Sequence, residues 1–487
     1  VKIVIAYPPL DRTLGVPLLS QNRQFQYFNE PTYIYPVVPA QAATLLKQAG
    51  HEVVWMDAIA QNLSLEQFFE KIKSEKPDLI ALETKTPVIK QHWKIIDDLK
   101  KLSTIDHRLL IVLFGDHVTA LPEESFVNSN IDFVLTGGDY DFLLVNLCDF
   151  LSNKTKEVES GIWYRDGKDV KNTGIFKLNH DLNSIPFIDR DLTQWSRYFR
   201  HNGNFKCTPG TYIMAGRDCW WGKCTFCSWP TLYPTFRQRS VENVLDEIES
   251  LVSCYGVKEI MDDTGCFPAG DWLDNFCKGM VARGLNEKVI LDCNMRFGAL
   301  NKTQYSAMKK AGFRLVLFGL ESANQKTLEK INKNVRVEKI VESCQEARAA
   351  GLYPHITIMF GYPWESYEEA QNTLKLGRWL LKKGYAYTVQ ATIVIPYPGS
   401  PLFDQCRKEG LLLTEDWNDY DMKRPVMKTS IENVALLKLV QEIYRVAFSP
   451  EFVLRRMFSI RSLSDVKYFG RGIKKVFGHI FDFQNKN

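Results

Sequence analysis

Two alternations of apolar and polar positions organise the chain. In the first third, short apolar and β-branched runs over residues 2–7, 52–56, 79–83, 109–114 and 133–135 predict strands. Between them, residues 40–49, 65–74, 90–102 and 142–151 repeat apolar positions every three to four residues and predict helices, the first ended by Gly50. Strands that alternate with helices in this way make a parallel, doubly wound α/β sheet. Such sheets take ligands at the carboxyl ends of their strands, near the reversal of strand order. The loops at those ends are Tyr7-Pro8-Pro9, Thr84-Lys85-Thr86, Gly115-Asp116-His117-Val118-Thr119 and Thr136-Gly137-Gly138-Asp139. Glycines and small polar residues there would let a bulky ligand approach the backbone. Residues 8–39 have little regular pattern. Tyr27, Phe28, Tyr33 and Tyr35 in that stretch suit either a ligand face or the edge of their own domain.

Residues 161–168 predict a hairpin with Asp166-Gly167 in its turn, and residues 182–188, with Pro186, an extended connector. Strand then helix resumes at residue 211. Strands are expected over 211–215, 259–261, 289–293, 315–319, 355–360 and 386–395, with helices over 241–254, 272–283, 302–311, 337–350 and 367–383. Six strands make a partial (β/α)6 barrel whose catalytic face lies at the carboxyl ends of the strands. From about residue 415 the pattern is helical, over 431–448, 451–460 and 464–481. Arg455, Arg456, Arg461, Lys467, Arg471, Lys474 and Lys475 outnumber Glu451 and Asp465 there. A basic amphipathic end can make peripheral contact with an anionic membrane or hold an anionic substrate. It can also pack on the barrel and leave a solvated basic face, which is the expectation here.

At 487 residues the chain has room for two or three cores. Its net charge of +4 is small for that length and makes no case for a nucleic-acid partner. No uncharged apolar run approaches the roughly 18–20 residues of a membrane span. The first residues are too short and strand-like for a signal peptide. Eleven cysteines without the even spacing of secreted proteins suit a reducing cytoplasm.

The chemistry is concentrated in Gly216-Arg217-Asp218-Cys219-Trp220-Trp221-Gly222-Lys223-Cys224-Thr225-Phe226-Cys227. A loop this tight can aim Cys219, Cys224 and Cys227 at one point. Three thiolates leave an iron–sulfur cube one ligand short, so that one iron is open to a small molecule. The alternative, a zinc site, wants a fourth ligand that no neighbouring C-x-x-C or His pair supplies. The loop resembles the cluster loop of the radical S-adenosylmethionine enzymes, C-x-x-x-C-x-x-C with an aromatic residue before the last cysteine. Phe226 fills that aromatic place, and one extra residue separates Cys219 from Cys224.

With this loop downstream, the first domain is similar to the cobalamin-binding domain of the cobalamin-dependent members of that family. The similarity rests on Tyr35-Pro36 through Leu45-Leu46, on Ala49-Gly50-His51-Glu52-Val53 and on Gly115 to Thr119. It implies cobalamin contacts at Thr84, Gly115, His117, Thr119, Gly137 and Gly138. Proteins that bind cobalt through a histidine carry D-x-H-x-x-G after the first strand. Here Asp11-Arg12-Thr13-Leu14-Gly15 has Thr at the His position, so no protein histidine on cobalt is expected, and His117 reads as a structural or cofactor-edge residue.

The resemblance further implies a [4Fe-4S] cluster on the three cysteines and S-adenosylmethionine held by Phe226, Asp263, Thr264, Arg296 and Glu321. Each of these lies in the cluster loop or where a barrel strand ends, although a strand-end carboxylate can also simply cap the next helix. It implies an external electron donor of flavodoxin or ferredoxin type and a small-molecule or lipid-like substrate. The activity implied first is methylation of an unactivated carbon through a 5′-deoxyadenosyl radical and methylcobalamin. Radical ring closure or rearrangement comes second, and a cobalamin-binding sensor third. The expected division is a cobalamin domain over 1–153, a linker over 154–206, the barrel over 207–414 and a helical region over 415–487.

Overall fold

A computed structural model of the chain describes residues 1–17, 27–29, 32–103, 108–460, 465–472 and 478. The first sheet has seven strands: β1 Lys2–Tyr7, β2 Glu52–Asp57, β3 Leu79–Glu83, β4 Leu110–Phe114, β5 Phe133–Leu135, β6 Ile162–Asp166 and β7 Asp169–Asn172. Their order is β2-β1-β3-β4-β5-β6-β7, with β1 to β5 mutually parallel. Ile3, Val4, Ile5 and Ala6 are all buried, as expected of a parallel strand covered on both faces. Helices α1 Val37–Gln48, α2 Leu65–Glu75, α3 Ile89–Lys100 and α4 Tyr140–Leu151 connect the strands. A reciprocal cap between Ser64 and Gln67 starts α2. The hairpin expected in the connector pairs antiparallel with β5 and extends this sheet.

Strand order reverses between β1 and β3, and the two carboxyl ends meet there through the Tyr7 hydroxyl, which donates to the Glu83 carboxylate. Burial pushes the Glu83 carboxyl up to about 7.

The second sheet contains β8 Gly210–Ile213, β9 Glu259–Asp262, β10 Ile290–Met295, β11 Phe313–Glu321, β12 Tyr353–Phe360 and β13 Thr388–Ile393. They lie in chain order and are all parallel, which is the open barrel expected from the alternation. Helices α5 Val241–Tyr255, α6 Asp271–Ala282, α7 Lys302–Lys310, α8 Val337–Ala349 and α9 Tyr367–Lys383 follow its strands. Ser240, Asn301 and Ser366 cap the starts of α5, α7 and α9. A shift of register between Gly319 and Glu321 ends β11, and Glu321 sits at φ 62.

The tail divides. Helix α10 Asn433–Tyr444 buries Leu436, Leu439, Val440 and Ile443 and packs against α9 and β13. Helix α11 Pro450–Phe458 buries no residue. Both helices pack on the barrel, α10 by burying its apolar face and α11 more lightly, against α9 and through a partly buried Phe452. Residues 465–472 are helical, and most of the remaining stretch expected as helix to 481 lies outside the described residues. Among the described residues no helix is long and apolar enough to cross a membrane.

Candidate active site

Strand β8 delivers the cysteine loop to the carboxyl end of the barrel. Residues Gly216–Arg217 pair antiparallel with Arg237–Gln238 and anchor its start. The rest is tied down from several sides: Thr225 N donates to Ile331 O at 3.0 Å, and Leu402 N to Thr225 O at 2.8 Å. The Trp220 indole donates to Phe267 O at 3.2 Å and the Trp221 indole to Asn332 O at 2.8 Å. Cys219, Cys224 and Cys227 are half-buried thiols, and none of the eleven cysteines forms a disulfide. Burial raises the Cys224 thiol, while Lys333 and Arg296 oppose that shift. Among the described residues no three His, Cys, Asp or Glu side chains close on a single metal ion, so the three thiols do not aim at one point. Spread along one pinned loop, with two cations nearby to offset thiolate charge, they suit a cubane cluster that takes one thiolate on each of three irons.

The predicted strand-end residues gather around this loop with distinct jobs. The Arg296 guanidinium lies 4.4 Å from the Trp221 ring and 5.6 Å from the Trp220 ring, so it braces the loop. Glu321 is buried and accepts from Lys333 Nζ at 2.7 Å. Lys333 Nζ stands 5.9 Å from the Phe226 ring centre. A Cβ on Gly319 would come within 2.1 Å of Glu321 Oε1 and 2.6 Å of Lys333 Nζ, which explains a glycine there. Thr264 turns inward instead: its hydroxyl accepts from Gly216 N at 3.0 Å, and its carbonyl accepts from Asn294 Nδ2 at 3.0 Å. Its neighbour Asp262, buried and pushed up to about 6, accepts from Ala215 N and Thr264 N. These two residues hold the root of the loop, whereas half-buried Asp263 is fixed through its backbone to Ile213 O at 2.8 Å.

Three neighbours were missed in the sequence. Lys333 lies between Asn332 and Asn334, both left-handed, and a turn of that kind has no signature that links it to β11. Cys266 is buried, and burial and then the adjacent Cys219 thiol push it well above the usual thiol range. Tyr362, just after β12, is fully buried near Glu321 and Cys224, yet among the described residues its hydroxyl finds no hydrogen-bond partner. A buried donor without a partner fits a site that receives a polar ligand atom.

In the first domain the glycines answer to the protein's own packing. A Cβ on Gly115, at φ 128, would lie 2.2 Å from Thr84 O. One on Gly137 would meet the Phe176 ring at 2.3 Å, and one on Gly138 the Tyr233 ring at 1.9 Å. On the side where a Cβ would stand, aromatic side chains close the approach to Gly137 and Gly138, so packing also calls for glycine there. The Thr119 hydroxyl donates to Gly115 O and accepts from Gly137 N, joining two of the predicted loops. The Thr84 hydroxyl pairs with His92 Nδ1 at 2.8 Å. Both ring nitrogens of buried His117 are engaged, Nδ1 with Thr86 Oγ1 at 3.1 Å and Nε2 with Glu124 Oε2 at 3.0 Å. All six predicted residues thus lie at the carboxyl ends of β3, β4 and β5, the face on which a doubly wound sheet carries its ligand. The aromatics of the irregular segment divide: Tyr27 and Tyr35 are buried, and Tyr33 is half-buried.

The two carboxyl-end faces are joined by buried charge. Arg217, two residues before Cys219, donates to Asp139 and Asp141 at 3.0 and 2.9 Å and to Gln41 at 2.8 Å. Arg237 and His180 complete the set on Asp139. Burial alone would lower the His180 pKa, but the hydrogen bonds to Asp139 and Glu159 outweigh it and raise it to about 9.

Known proteins share both domains. Residues 213–377 match the model of the radical SAM superfamily, and residues 32–141 match that of the B12 binding domain. An uncharacterized methyltransferase of Pyrococcus horikoshii is 27% identical over 450 residues, 91% of this chain and 94% of that protein. The anaerobic magnesium-protoporphyrin IX monomethyl ester cyclase of Cereibacter sphaeroides is 28% identical over 422 residues, 84% of this chain and 66% of the cyclase. The solved structure of the cobalamin-dependent S-adenosylmethionine radical enzyme OxsB shares the fold at a TM-score of 0.71 and 15% identity, over 99% of this chain and 72% of OxsB. The chain belongs to the cobalamin-dependent radical S-adenosylmethionine enzymes, whose cofactors are a [4Fe-4S] cluster, S-adenosylmethionine and cobalamin.

Proposed function

We propose that the protein methylates an unactivated carbon of a small-molecule or lipid-like substrate. The observation that carries this reading is the apposition of two ligand faces, the cysteine loop of the barrel and the strand ends of the first domain, tied together at Arg217. A methyl donor and a hydrogen-abstracting group must flank one carbon, and only such an apposition places both within reach of it. When bound, the cofactors supply hydrogen abstraction by a 5′-deoxyadenosyl radical and a methyl group carried on cobalt. The match to a methyltransferase over nearly its full length supports the same reading.

The chain's own residues divide the work. Cys219, Cys224 and Cys227 hold the cluster, with Arg296 and Lys333 offsetting their charge. Glu321, Tyr362 and Asp263 line the adjacent mouth, where a carboxylate can accept from an ammonium or a ribose hydroxyl and the Tyr362 hydroxyl can donate to a carboxylate. Phe226 gives the mouth an apolar wall, while Thr264 acts by holding Gly216. Thr84, Gly115, His117, Thr119, Gly137 and Gly138 shape the cobalamin face. No histidine in that set is offered to cobalt, because both His117 nitrogens already have partners. In this reading residues 1–153 hold cobalamin, 154–206 connect and add the hairpin β6–β7 to that domain's sheet, 207–414 form the catalytic barrel and 415–487 are the helical region. The reductant is an external flavodoxin- or ferredoxin-type donor, and the compartment is the reducing cytoplasm.

Ring closure on the same scaffold is the second reading, favoured by the cyclase match. An anaerobic assay with substrate separates the two. Methyl transfer yields 5′-deoxyadenosine and S-adenosylhomocysteine in near-equal amounts. Product accompanied by 5′-deoxyadenosine alone rejects it in favour of ring closure.

A further inference from the structure

The carboxyl ends of the barrel strands carry the reaction, and the amino ends carry a different surface. A cavity of about 540 Å³ opens there. Its walls include Lys206, just before β8, Lys258, just before β9, and Lys288, just before β10. The helical stretch 465–472 lies across it and adds Lys467 and Arg471. Five cations face one lining acid, Glu287. Lys206 also pairs with Asp465 at 2.6 Å, and Arg471 donates to Phe205 O at 2.9 Å, which fixes the helix in place.

Helix α11 shares this end of the barrel. The Arg456 guanidinium stacks 3.5 Å from the Tyr387 ring, directly before β13, and lies 5.7 Å from Phe469 of the neighbouring helical stretch. With that arginine turned inward, α11 presents apolar side chains to solvent. Phe458 is 83% exposed, Met457 61% and Leu454 52%, and Val453, Ile460 and Val466 are also exposed. An exposed apolar row of this kind, on the face of α11 turned away from Arg456, is a surface made to meet something.

We propose that the amino-terminal end of the barrel is a membrane-docking face, with anionic phospholipid headgroups over the cationic cavity and the apolar row of α11 in the acyl boundary. This goes beyond the catalytic reading and does not depend on it. A bilayer matches both halves at once, since it offers phosphate at the surface and hydrocarbon just beneath, and it asks for no shape complementarity. An acidic electron-donor protein matches only the cations. It would also sit at the wrong end of the strands, because the eight residues of β12 put about 25 Å between this face and the cysteine loop.

The test is flotation of the full-length, anaerobically purified protein with vesicles of phosphatidylglycerol and phosphatidylcholine, and with phosphatidylcholine alone. Binding to the anionic vesicles is expected, with loss on raising salt. Lys467→Gln should weaken partitioning about fivefold, the factor that corresponds to about 1 kcal/mol per surface charge. Leu454→Glu with Phe458→Glu should abolish it while cleavage of S-adenosylmethionine in solution stays at the wild-type rate. Absence of flotation on anionic vesicles overturns the proposal, as does flotation that the double variant leaves intact. A dimer in solution that the double variant dissociates, without vesicle binding by the wild type, overturns it in favour of self-association.

Discussion

Arg217 and Asp141 form a two-pronged ion pair between the barrel and the first domain, with guanidinium nitrogens 2.9 and 2.5 Å from the two carboxylate oxygens and both side chains buried. The arginine is two residues from the first cluster cysteine, and the aspartate is in the first turn of α4, just beyond the Gly137-Gly138 loop. Arg217, Arg237 and a protonated His180 balance Asp139, Asp141 and Glu159, so the set, buried at Arg217, Asp139 and Asp141 and half-buried at its edge, is close to neutral. Arg217→Ala leaves the buried Asp141 carboxylate without its cation and should cost about 3–5 kcal/mol of stability. Arg217→Lys keeps the charge but not the fork. That variant is expected to fold and still cleave S-adenosylmethionine, with a higher ratio of 5′-deoxyadenosine to product than wild type. An unchanged ratio would confine the pair to a structural role.

Tyr362 gives a prediction with opposite signs in two measurements. Its buried hydroxyl has no hydrogen-bond partner among the described residues, so with no cofactor added Tyr362→Phe should leave thermal stability unchanged or raise it. If the hydroxyl donates to S-adenosylmethionine, the same change should weaken its binding about fivefold, the equivalent of about 1 kcal/mol. Calorimetric titration beside a melting curve reads both. A destabilised variant with unaltered affinity would place the hydroxyl outside the site.

Glu83 makes stability depend on pH in a stated direction. Its folded pKa of about 7 lies above the ordinary carboxylate value, so the folded state binds the proton more tightly than the unfolded chain. That contribution is complete below the unfolded pKa and is lost as pH rises through about 7. In the cofactor-free protein Glu83→Gln should therefore be more stable than wild type at pH 8, by about 3 kcal/mol at most, with the gain vanishing towards pH 4. Denaturant midpoints across that range check it. A gain independent of pH would show that Glu83 is not the titrating group.

Where the sequence was legible, a local pattern carried the information. Apolar runs and helical spacing marked the strands of both sheets, and the cysteine spacing with Phe226 marked the loop. Glu321 and Arg296 were singled out because the resemblance puts the partners of the cofactor at the ends of barrel strands. What escaped depends on contacts between distant segments. Lys333 reaches Glu321 through a turn that crosses back from the chain after it. Arg217 gains its meaning from residues 76 and 78 positions upstream. The glycines at 137 and 138 were read as room for a ligand, and the packing that also calls for them comes from Phe176 and Tyr233, in other parts of the chain. Thr264 was read as facing the cofactor, and its neighbour in space, Gly216, belongs to a different strand end.

The central claim is that the loop of Cys219, Cys224 and Cys227 carries one cubane cluster. Iron and acid-labile sulfide, measured after anaerobic reconstitution, test it most directly in the wild type and in the protein with all three cysteines changed to Ala. The account predicts about four irons and four sulfides per wild-type chain. It predicts almost none in the variant, with cobalamin binding retained and cleavage of S-adenosylmethionine lost. Iron content that is the same in the two proteins would contradict it.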